Sequence, residues 1–270
     1  MANKKIIKRR WWKNSVPLSL KYQDSKGDII QSDTLEFLFQ LKDKCADIIF
    51  LDPPFNLNKK YSKKPIIEDN LKENEYKNYI EQVILRSINV LKDGGALYLY
   101  HIPKYAIYFS NILDKHLEFR HWIAISMKNG FVVKGKLYPA HYSLLYFTKG
   151  PPSNFNRPKL GLSRCRHCDE VIKDYGGYKE YVKDGINLSD IWDDISPVRH
   201  KKYKNRDANE LPITILNRVI QISGRRNGVV VDPFSGTGTT LVAAKNHGMR
   251  YIGCDIEPDA CAVMRRRLKL

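Results

Sequence analysis

The chain has 270 residues, of which 43% are hydrophobic, and this is enough for one sizeable α/β core, or for a core and a small inserted module. Lysine and arginine outnumber aspartate and glutamate by 46 to 29, which favours a polyanionic partner over a basic surface that binds nothing. No stretch approaches the roughly 20 apolar residues that a membrane span needs, and no apolar signal core follows the basic N-terminus. These features argue against a membrane protein and predict a cytoplasmic one.

The first 27 residues are predicted to form a basic arm that is partly ordered. Seven basic residues and no acidic one occur from Lys4 to Lys21. Within the arm, Trp11 and Trp12 would either stack on nucleic acid or pack on the folded domain. The sequence alone does not decide between these two interpretations.

Apolar patterns then alternate between strand and helix. Residues 46–51 form a nearly continuous apolar run, as in a parallel strand that is buried on both faces. The other predicted elements are a helix over 73–91 ended by Gly94-Gly95, a strand over 96–100, a helix over 104–117, strands over 121–126 and 142–148, a helix over 211–222, a strand over 228–232, a helix over 239–247, a strand over 250–254 and a helix over 258–268. Repeated β–α units predict a Rossmann-like, doubly wound, mostly parallel sheet.

Between 150 and 206 this periodicity fades, and prolines, glycines and basic residues dominate. Because a long structureless loop is unusual inside a compact domain, we predict an inserted recognition segment here. The α/β domain then comprises 28–149 and 207–270. Basic runs with interleaved tyrosines at 58–64 and 199–204 are predicted to contact phosphates, the alternative being a solvated charged surface.

A strand, a glycine turn and a helix start follow one another at Val229-Val230-Val231-Asp232-Pro233-Phe234-Ser235-Gly236-Thr237-Gly238-Thr239-Thr240. Gly236 and Gly238 allow the backbone to approach a bound molecule closely. The next strand leads to Asp255, where a carboxylate suits a ribose diol. A plain tight turn is the structural alternative. A nicotinamide enzyme would carry a third glycine, which this motif lacks.

The segment Asp52-Pro53-Pro54-Phe55, directly after the 46–51 strand, is suited to activating an amino group. The exocyclic nitrogen of adenine or cytosine is a poor nucleophile because its lone pair is delocalised into the ring. The Asp52 carboxylate and the Pro53 carbonyl can accept its two N–H groups and free the lone pair, and consecutive prolines hold that carbonyl in place. Phe55 supplies a face on which an extruded base can stack. The alternative is an ordinary strand-to-turn exit.

With both motifs in this order, the chain from about Ile29 onward resembles the β-class amino-methyltransferases of bacterial and phage restriction–modification systems. The resemblance implies the S-adenosylmethionine-dependent methyltransferase fold with circularly permuted motif order, base flipping and methyl transfer to double-stranded DNA. Asp52 in first place implies adenine N6 over cytosine N4. The residues expected to line the cofactor site are Asp33, Asp232, Phe234, Gly236, Gly238 and Asp255. A homodimer and a cognate restriction endonuclease stay open as further partners.

Two features depart from this family's pattern. The segment before the 211–222 helix reads Asn209-Glu210-Leu211-Pro212, where a Lys-Pro pair usually borders the cofactor, and Phe55 replaces the commoner Tyr. Pro-Cys does not occur, which excludes ring-carbon methylation through a cysteine nucleophile. Methylation of RNA or of a protein amide, and a non-catalytic nucleic-acid-binding protein with the same fold, are the alternative functions.

A short cysteine cluster and an arginine run are better explained by structure than by a functional site. Cys165-Arg166-His167-Cys168 is half of a zinc site, but structural zinc needs four ligands and no second pair follows nearby, so reduced cysteines are favoured and no metal is expected. The five cysteines are an odd number, which argues against a disulfide framework. Arg265-Arg266-Arg267 is predicted to be a solvated charge run, far from both motifs.

Overall fold

Strands and helices alternate along most of the chain. A computed structural model describes residues 6–14, 16–57, 69–126, 134–135, 137–162, 165, 167–171, 185–195 and 210–270. The helices are α1 Thr34–Gln40, α2 Glu73–Val90, α3 Pro103–Asp114, α4 Ile213–Ser223, α5 Thr239–Asn246 and α6 Pro258–Leu268. The strands are β1 Leu20–Gln23, β2 Gly27–Gln31, β3 Ala46–Leu51, β4 Leu91–His101, β5 Glu118–Ser126, β6 His141–Thr148, β7 Lys159–Leu160, β8 Ile186–Asn187, β9 Ile191–Trp192, β10 Val229–Asp232 and β11 Arg250–Asp255.

Within the described residues, one sheet of nine strands has the order β1-β2-β11-β10-β3-β4-β6-β5-β9, and β7 pairs with β8 apart from it. The neighbouring strands β2, β11, β10, β3 and β4 are all parallel. Helices α1, α2 and α3 pack on one face of the sheet, and α4, α5 and α6 pack on the other. The doubly wound, mostly parallel sheet that the sequence predicts is therefore confirmed.

The central strand β3 is covered on both faces, and all six of its residues are buried. One of them is the carboxylate Asp47, which accepts hydrogen bonds from Lys92 Nζ at 2.6 Å, Arg225 Nε at 2.8 Å and the Val229 N–H at 2.8 Å. Burial alone would raise the pKa of Asp47, but these hydrogen bonds outweigh it and lower the pKa. This carboxylate therefore ties β3 to both neighbouring strands, β4 and β10.

The glycine pair in β4 has a different role from the one predicted. Helix α2 ends at Val90 and the chain passes directly into β4, so the prediction that Gly94-Gly95 ends this helix is wrong. Gly94 has φ +72°, and its backbone bonds to Lys149 and Ser153 in the segment after β6. A Cβ on Gly94 would lie only 2.8 Å from the Cβ of Ser153. The glycine is thus required by a close contact between two segments that are distant in the chain.

The described part of the N-terminal segment packs against the domain. Trp11 and Trp12 are buried, and both indole N–H groups donate to Oδ2 of Asp28, at 2.9 and 2.8 Å. Strand β1 extends the edge of the sheet beside β2. The two tryptophans are therefore core residues and offer no surface for stacking on nucleic acid. The predicted boundary at residue 27, between a basic arm and the α/β domain, stays a prediction. Strand β1 and these two tryptophans precede it and pack within the fold.

The described parts of the 150–206 segment contact the main domain. Asn154 Nδ2 donates to the Gly224 carbonyl at 2.7 Å, just beyond α4, and β9 pairs with β5 at the sheet edge. The recognition role of this segment stays a prediction, and the basic runs at 58–64 and 199–204 lie outside the described residues. Of the helices described, none combines the length and the apolar character that crossing a membrane requires.

Candidate active site

Acidic residues lie at one edge of the sheet, each at the end of a parallel strand. Strands β2, β11, β10 and β3 lead, in this spatial order, to Asp33, Asp255, Asp232 and Asp52. Val231 of β10 pairs with Ile49 of β3, so these two strands end close together. Ligands of α/β sheets bind beyond this carboxyl edge. The two sequence motifs therefore meet at the place where a ligand is expected.

The loop between β10 and α5 holds two glycines in left-handed backbone conformation. Its φ angles are +51° at Gly236 and +79° at Gly238. Gly238 is the N-cap of α5, and a Cβ there would lie 2.7 Å from Cγ of Met264 in α6. The Gly236 N–H donates to Oδ2 of Asp255 at 2.9 Å. Conformation thus favours glycine at both positions, close packing also requires it at Gly238, and the Asp255 carboxylate from the neighbouring strand holds the loop.

Asp232 lies buried at the start of the same loop. Its Oδ1 accepts the N–H of Phe234 at 2.9 Å, and its side chain also bonds to Thr240. Burial raises the pKa of Asp232 to about 7, and the charges of Asp52 and Asp255 act in the same direction. The negative charges of Asp52 and Asp255 thus disfavour ionisation of Asp232, and a cationic ligand at this edge of the sheet would favour it.

The start of α1 borders the glycine loop. Asp33 is the N-cap of this helix, and its side chain accepts the N–H of Leu35 at 2.8 Å. The hydroxyl of Thr34 donates to the Pro233 carbonyl at 3.0 Å. Phe234 is half-buried and packs against the core on this side of the sheet. The residues predicted to line a cofactor thus lie at one edge of the sheet, and their contact with a cofactor stays a prediction.

Phe55 lies in an aromatic cluster beside the loop that follows β3. Its ring centroid is 4.6 Å from that of His101, 5.9 Å from that of Tyr100 and 5.8 Å from that of Tyr142. The residue is only 8% exposed. Its role as a stacking surface stays a prediction, because a base would have to reach the small part of the ring that is left uncovered.

Asp52 is half-buried at the mouth of this cluster, and Pro53 behind it is buried. Burial raises the pKa of the Tyr100 and Tyr142 hydroxyls, and the negative charge of Asp52 raises it further. Both hydroxyls therefore lie near the carboxylate and are protonated at neutral pH. The Asp52 carboxylate lies on the sheet edge next to Asp232, as amino-group chemistry between the two loops would require.

Comparison with known proteins relates this arrangement to an established family. A family model described as DNA methylase, covering N6 and N4 methyltransferases, matches residues 46–266. This chain belongs to that family. The resemblance to amino-methyltransferases that the two motifs indicate is thereby confirmed.

Relatives of this chain include Type II methyltransferases and solved structures. Type II methyltransferase M.BamHI of Bacillus amyloliquefaciens is 40% identical over 271 residues, which are 100% of this chain and 63% of M.BamHI, so the chain spans less than two thirds of that relative. The M1.HpyAVI–SAM complex has a TM-score of 0.62 and 18% identity, covering 90% of this chain and 100% of the other. PvuII DNA methyltransferase (cytosine-N4-specific) has a TM-score of 0.63 and 18% identity, covering 92% and 88%. These two structures share the fold.

Two further residues, which neither sequence motif indicates, lie beside the loop that follows β3. His101 ends β4 and is fully buried, and Tyr76 of α2 bonds both to it and to the Pro54 carbonyl. The one signal in the sequence is a histidine at the end of the apolar run 96–101. Such a polar residue at the carboxyl end of a parallel strand points to the site.

The prediction that Arg265-Arg266-Arg267 lies far from both motifs is wrong for Arg267. Its Nη1 lies 3.0 Å from Glu210 Oε1, 2.9 Å from both the carbonyl and the hydroxyl of Thr237, and 3.0 Å from the Thr239 hydroxyl. An amphipathic helix turns different side chains to different partners, so one member of a charge run can be buried while its neighbours are solvated. Arg267 therefore supports the glycine loop.

The cysteines of this chain divide into core and surface residues. Cys254 and Cys261 are buried, while Cys168 is exposed. Among the described residues, no group of three or more His, Cys, Asp or Glu side chains is placed to hold a metal ion. The preference for reduced thiols over zinc at Cys165 and Cys168 stays a prediction.

Proposed function

We propose that this chain transfers a methyl group from S-adenosylmethionine to the exocyclic amino nitrogen of a base in double-stranded DNA. The observation that carries the proposal is the placement of Asp52 and Asp232 at the ends of two adjacent parallel strands. The loop after β3 has the acceptors that an amino group needs. The loop between β10 and α5 has the glycines that a nucleotide-like cofactor needs. Membership of the DNA methylase family and the formal charge of +17 support a DNA substrate.

The residues of the glycine loop fit the proposed cofactor. Repulsion between the Asp232, Asp52 and Asp255 carboxylates is relieved by a cation, and S-adenosylmethionine supplies its methyl group from a positively charged sulfonium. Asp255 would accept the ribose hydroxyls, while Asp33, Phe234 and the glycines would line the rest of the site. The structural relative M1.HpyAVI is described as a complex with this cofactor.

The loop after β3 would activate the base. The Asp52 carboxylate and the Pro53 carbonyl would each accept one N–H of the amino group, which returns the lone pair to the nitrogen. Because the ring of Pro54 fixes its φ angle, the Pro53 carbonyl is held in one orientation. Phe55 would contact the extruded base, since a base must leave the duplex before its amino group can reach this edge of the sheet.

Two bases are candidates for the accepting nitrogen. Asp in first place of the motif favours adenine N6, through the family resemblance. Cytosine N4 is the second candidate, because the family model covers both reactions and the structural relative PvuII DNA methyltransferase is described as cytosine-N4-specific. Mass spectrometry of nucleosides from methylated duplex DNA distinguishes the two products. A homodimer and a cognate restriction endonuclease stay predictions.

Replacing Asp52 by alanine tests the mechanism. We expect Asp52→Ala to lower the rate of tritiated methyl transfer to duplex DNA by about a hundredfold to a thousandfold, because one of two acceptors is lost. The dissociation constant of S-adenosylmethionine, measured by calorimetry, should change little. Asp114→Ala, at the exposed end of α3, is the matched control and should keep wild-type activity.

Three outcomes would contradict the proposal. Equal loss of cofactor affinity and of transfer in Asp52→Ala would make Asp52 a structural residue. Transfer to RNA or to protein but not to duplex DNA would change the substrate. A wild-type chain that does not bind S-adenosylmethionine would be a nucleic-acid-binding protein that only keeps the fold.

A further inference from the structure

A series of hydrogen bonds runs from the end of β4 to the backbone of the loop that follows β3. The Ile102 N–H lies 2.8 Å from Nδ1 of His101. The Nε2 of the same imidazole lies 2.6 Å from the hydroxyl oxygen of Tyr76. That hydroxyl in turn lies 2.6 Å from the carbonyl oxygen of Pro54. His101 is completely buried and Tyr76 is 3% exposed, so water does not replace these bonds.

The donor and the acceptor of every hydrogen bond in this series follow from the two backbone groups at its ends. A backbone N–H only donates, so Nδ1 of His101 must be the unprotonated nitrogen. In a neutral imidazole the proton then lies on Nε2, which donates to the Tyr76 oxygen. A carbonyl only accepts, so the Tyr76 hydroxyl donates to Pro54. Burial lowers the pKa of His101 to about 3, which agrees with a neutral ring.

The Pro54 carbonyl matters because it is coupled to the preceding peptide unit. The pyrrolidine ring fixes φ of Pro54, so ψ of Pro54 is the one soft torsion between its carbonyl and the Pro53–Pro54 peptide plane, and holding the carbonyl restricts the orientation of that plane. That plane carries the Pro53 oxygen. After Phe55, the Asp69 carboxylate accepts the N–H groups of Asn56 and Leu57 at 2.7 and 3.0 Å. The loop backbone is thus held at Pro54 and again at Asn56 and Leu57.

We propose that His101 and Tyr76 are positioning residues for methyl transfer, which orient the Pro53 carbonyl and the Phe55 ring through the Pro54 carbonyl. The proposal rests on the proposed function of the Asp52 loop. His101 acts twice, because its ring also packs against Phe55 at a centroid distance of 4.6 Å. Neither residue touches the reacting atoms. Their effect is on the geometry of the two acceptors, where a small misplacement costs a large factor in rate.

The test removes one oxygen atom. We expect Tyr76→Phe to lower kcat for methyl transfer to duplex DNA by about tenfold to a hundredfold, with the dissociation constants of S-adenosylmethionine and of DNA within about twofold of wild type. His101→Gln keeps one N–H donor and one acceptor, whereas His101→Leu keeps neither. We therefore expect the glutamine variant to retain clearly more activity than the leucine variant.

Tyr105→Phe is the matched control. Tyr105 lies in the same aromatic cluster, with ring centroids 5.0 Å from Tyr76 and 5.1 Å from His101. Its hydroxyl takes no part in the chain to Pro54, so this variant should keep the wild-type kcat. If Tyr76→Phe and Tyr105→Phe behave alike, or if Tyr76→Phe weakens cofactor binding as much as it lowers kcat, the positioning role is wrong.

A spectroscopic readout tests the bond order independently of activity. In protein labelled with ¹⁵N-histidine, the signal that disappears in His101→Gln should show the Nε2–H tautomer at neutral pH. A protonated ring or the Nδ1–H tautomer would overturn the inference. If the wild-type chain transfers no methyl group to DNA, the proposed function fails instead. If the wild type transfers methyl groups and Tyr76→Phe does so at the same rate, only the positioning role of these hydrogen bonds is refuted.

Discussion

At the scale of single residues, Asp232 connects the site to pH. The pKa of an ordinary aspartate is about 3.9, whereas burial raises that of Asp232 to about 7, and Asp52 and Asp255 add to this. Below pH 7 the free protein therefore carries a proton on Asp232. A cationic cofactor favours the ionised form, so its binding must release that proton. Affinity for S-adenosylmethionine should consequently rise with pH up to about 7 and then level off.

Calorimetry between pH 5 and pH 8 measures this dependence. We expect the dissociation constant to fall severalfold over the range, within the limit of about tenfold per pH unit that a single proton sets. Asp232→Asn keeps an acceptor for the Phe234 N–H but does not titrate, so its affinity should be weaker and independent of pH. A wild-type affinity that does not change with pH would show that Asp232 and the cofactor are not coupled.

At the scale of elements, α6 supports the glycine loop from behind. Met264 of this helix fills the space beside Gly238, and Arg267 binds Thr237, Thr239 and Glu210. The Glu210 side chain is only 5% exposed, and it lies in the segment that leads into α4. The closing helix therefore joins the glycine loop to the start of α4. The contact between Arg267 and Glu210 lies in the segment where the sequence departs from the Lys-Pro pair of the family.

Removing Arg267 should disturb both stability and cofactor binding. In Arg267→Met, the Glu210 carboxylate and the Thr237 carbonyl both lose hydrogen bonds from a charged donor, and we expect a lower free energy of unfolding by about 2 kcal/mol in urea denaturation. Cofactor affinity should fall as the glycine loop loosens. The double variant Arg267→Met/Glu210→Gln should recover part of the stability, because a neutral amide loses less than a carboxylate when the guanidinium is removed. Additive losses in the double variant would show that the pair is not coupled.

Arg266→Met is the control on the exposed face of α6, and it should change neither the free energy of unfolding nor the cofactor affinity.

At the scale of the whole molecule, net charge should govern the proposed binding to DNA. Lysine and arginine exceed aspartate and glutamate by 46 to 29, a formal charge of +17. If six or more phosphates are contacted, the affinity for duplex DNA should fall by about a thousandfold or more between about 50 and 200 mM salt. Fluorescence anisotropy measures this slope. The affinity for S-adenosylmethionine serves as the internal control and should change little. A DNA affinity that is nearly independent of salt would mean that the charge does not act through phosphates.

The sequence by itself determined the types of most elements from residue 46 onward and the positions of both loops, but it did not indicate β1, β2 or α1. Continuous apolar runs and helical spacing are local, so β3, β10 and β11 follow from the pattern, and the glycines at 236 and 238 follow from a turn that needs left-handed backbone. The order of elements along the chain also implied a doubly wound sheet. Local patterns erred at Gly94-Gly95, because the contact that requires glycine there comes from a distant segment.

Only the tertiary structure decided which of these elements are neighbours. Strand order places β10 beside β3 and so brings Asp232 within reach of the charge of Asp52. It also buries Trp11 and Trp12, turns Arg267 toward the glycine loop and places Tyr76 between His101 and Pro54. Each of these contacts joins segments that are far apart in the chain. No local pattern encodes them, since burial and pairing depend on how the layers pack.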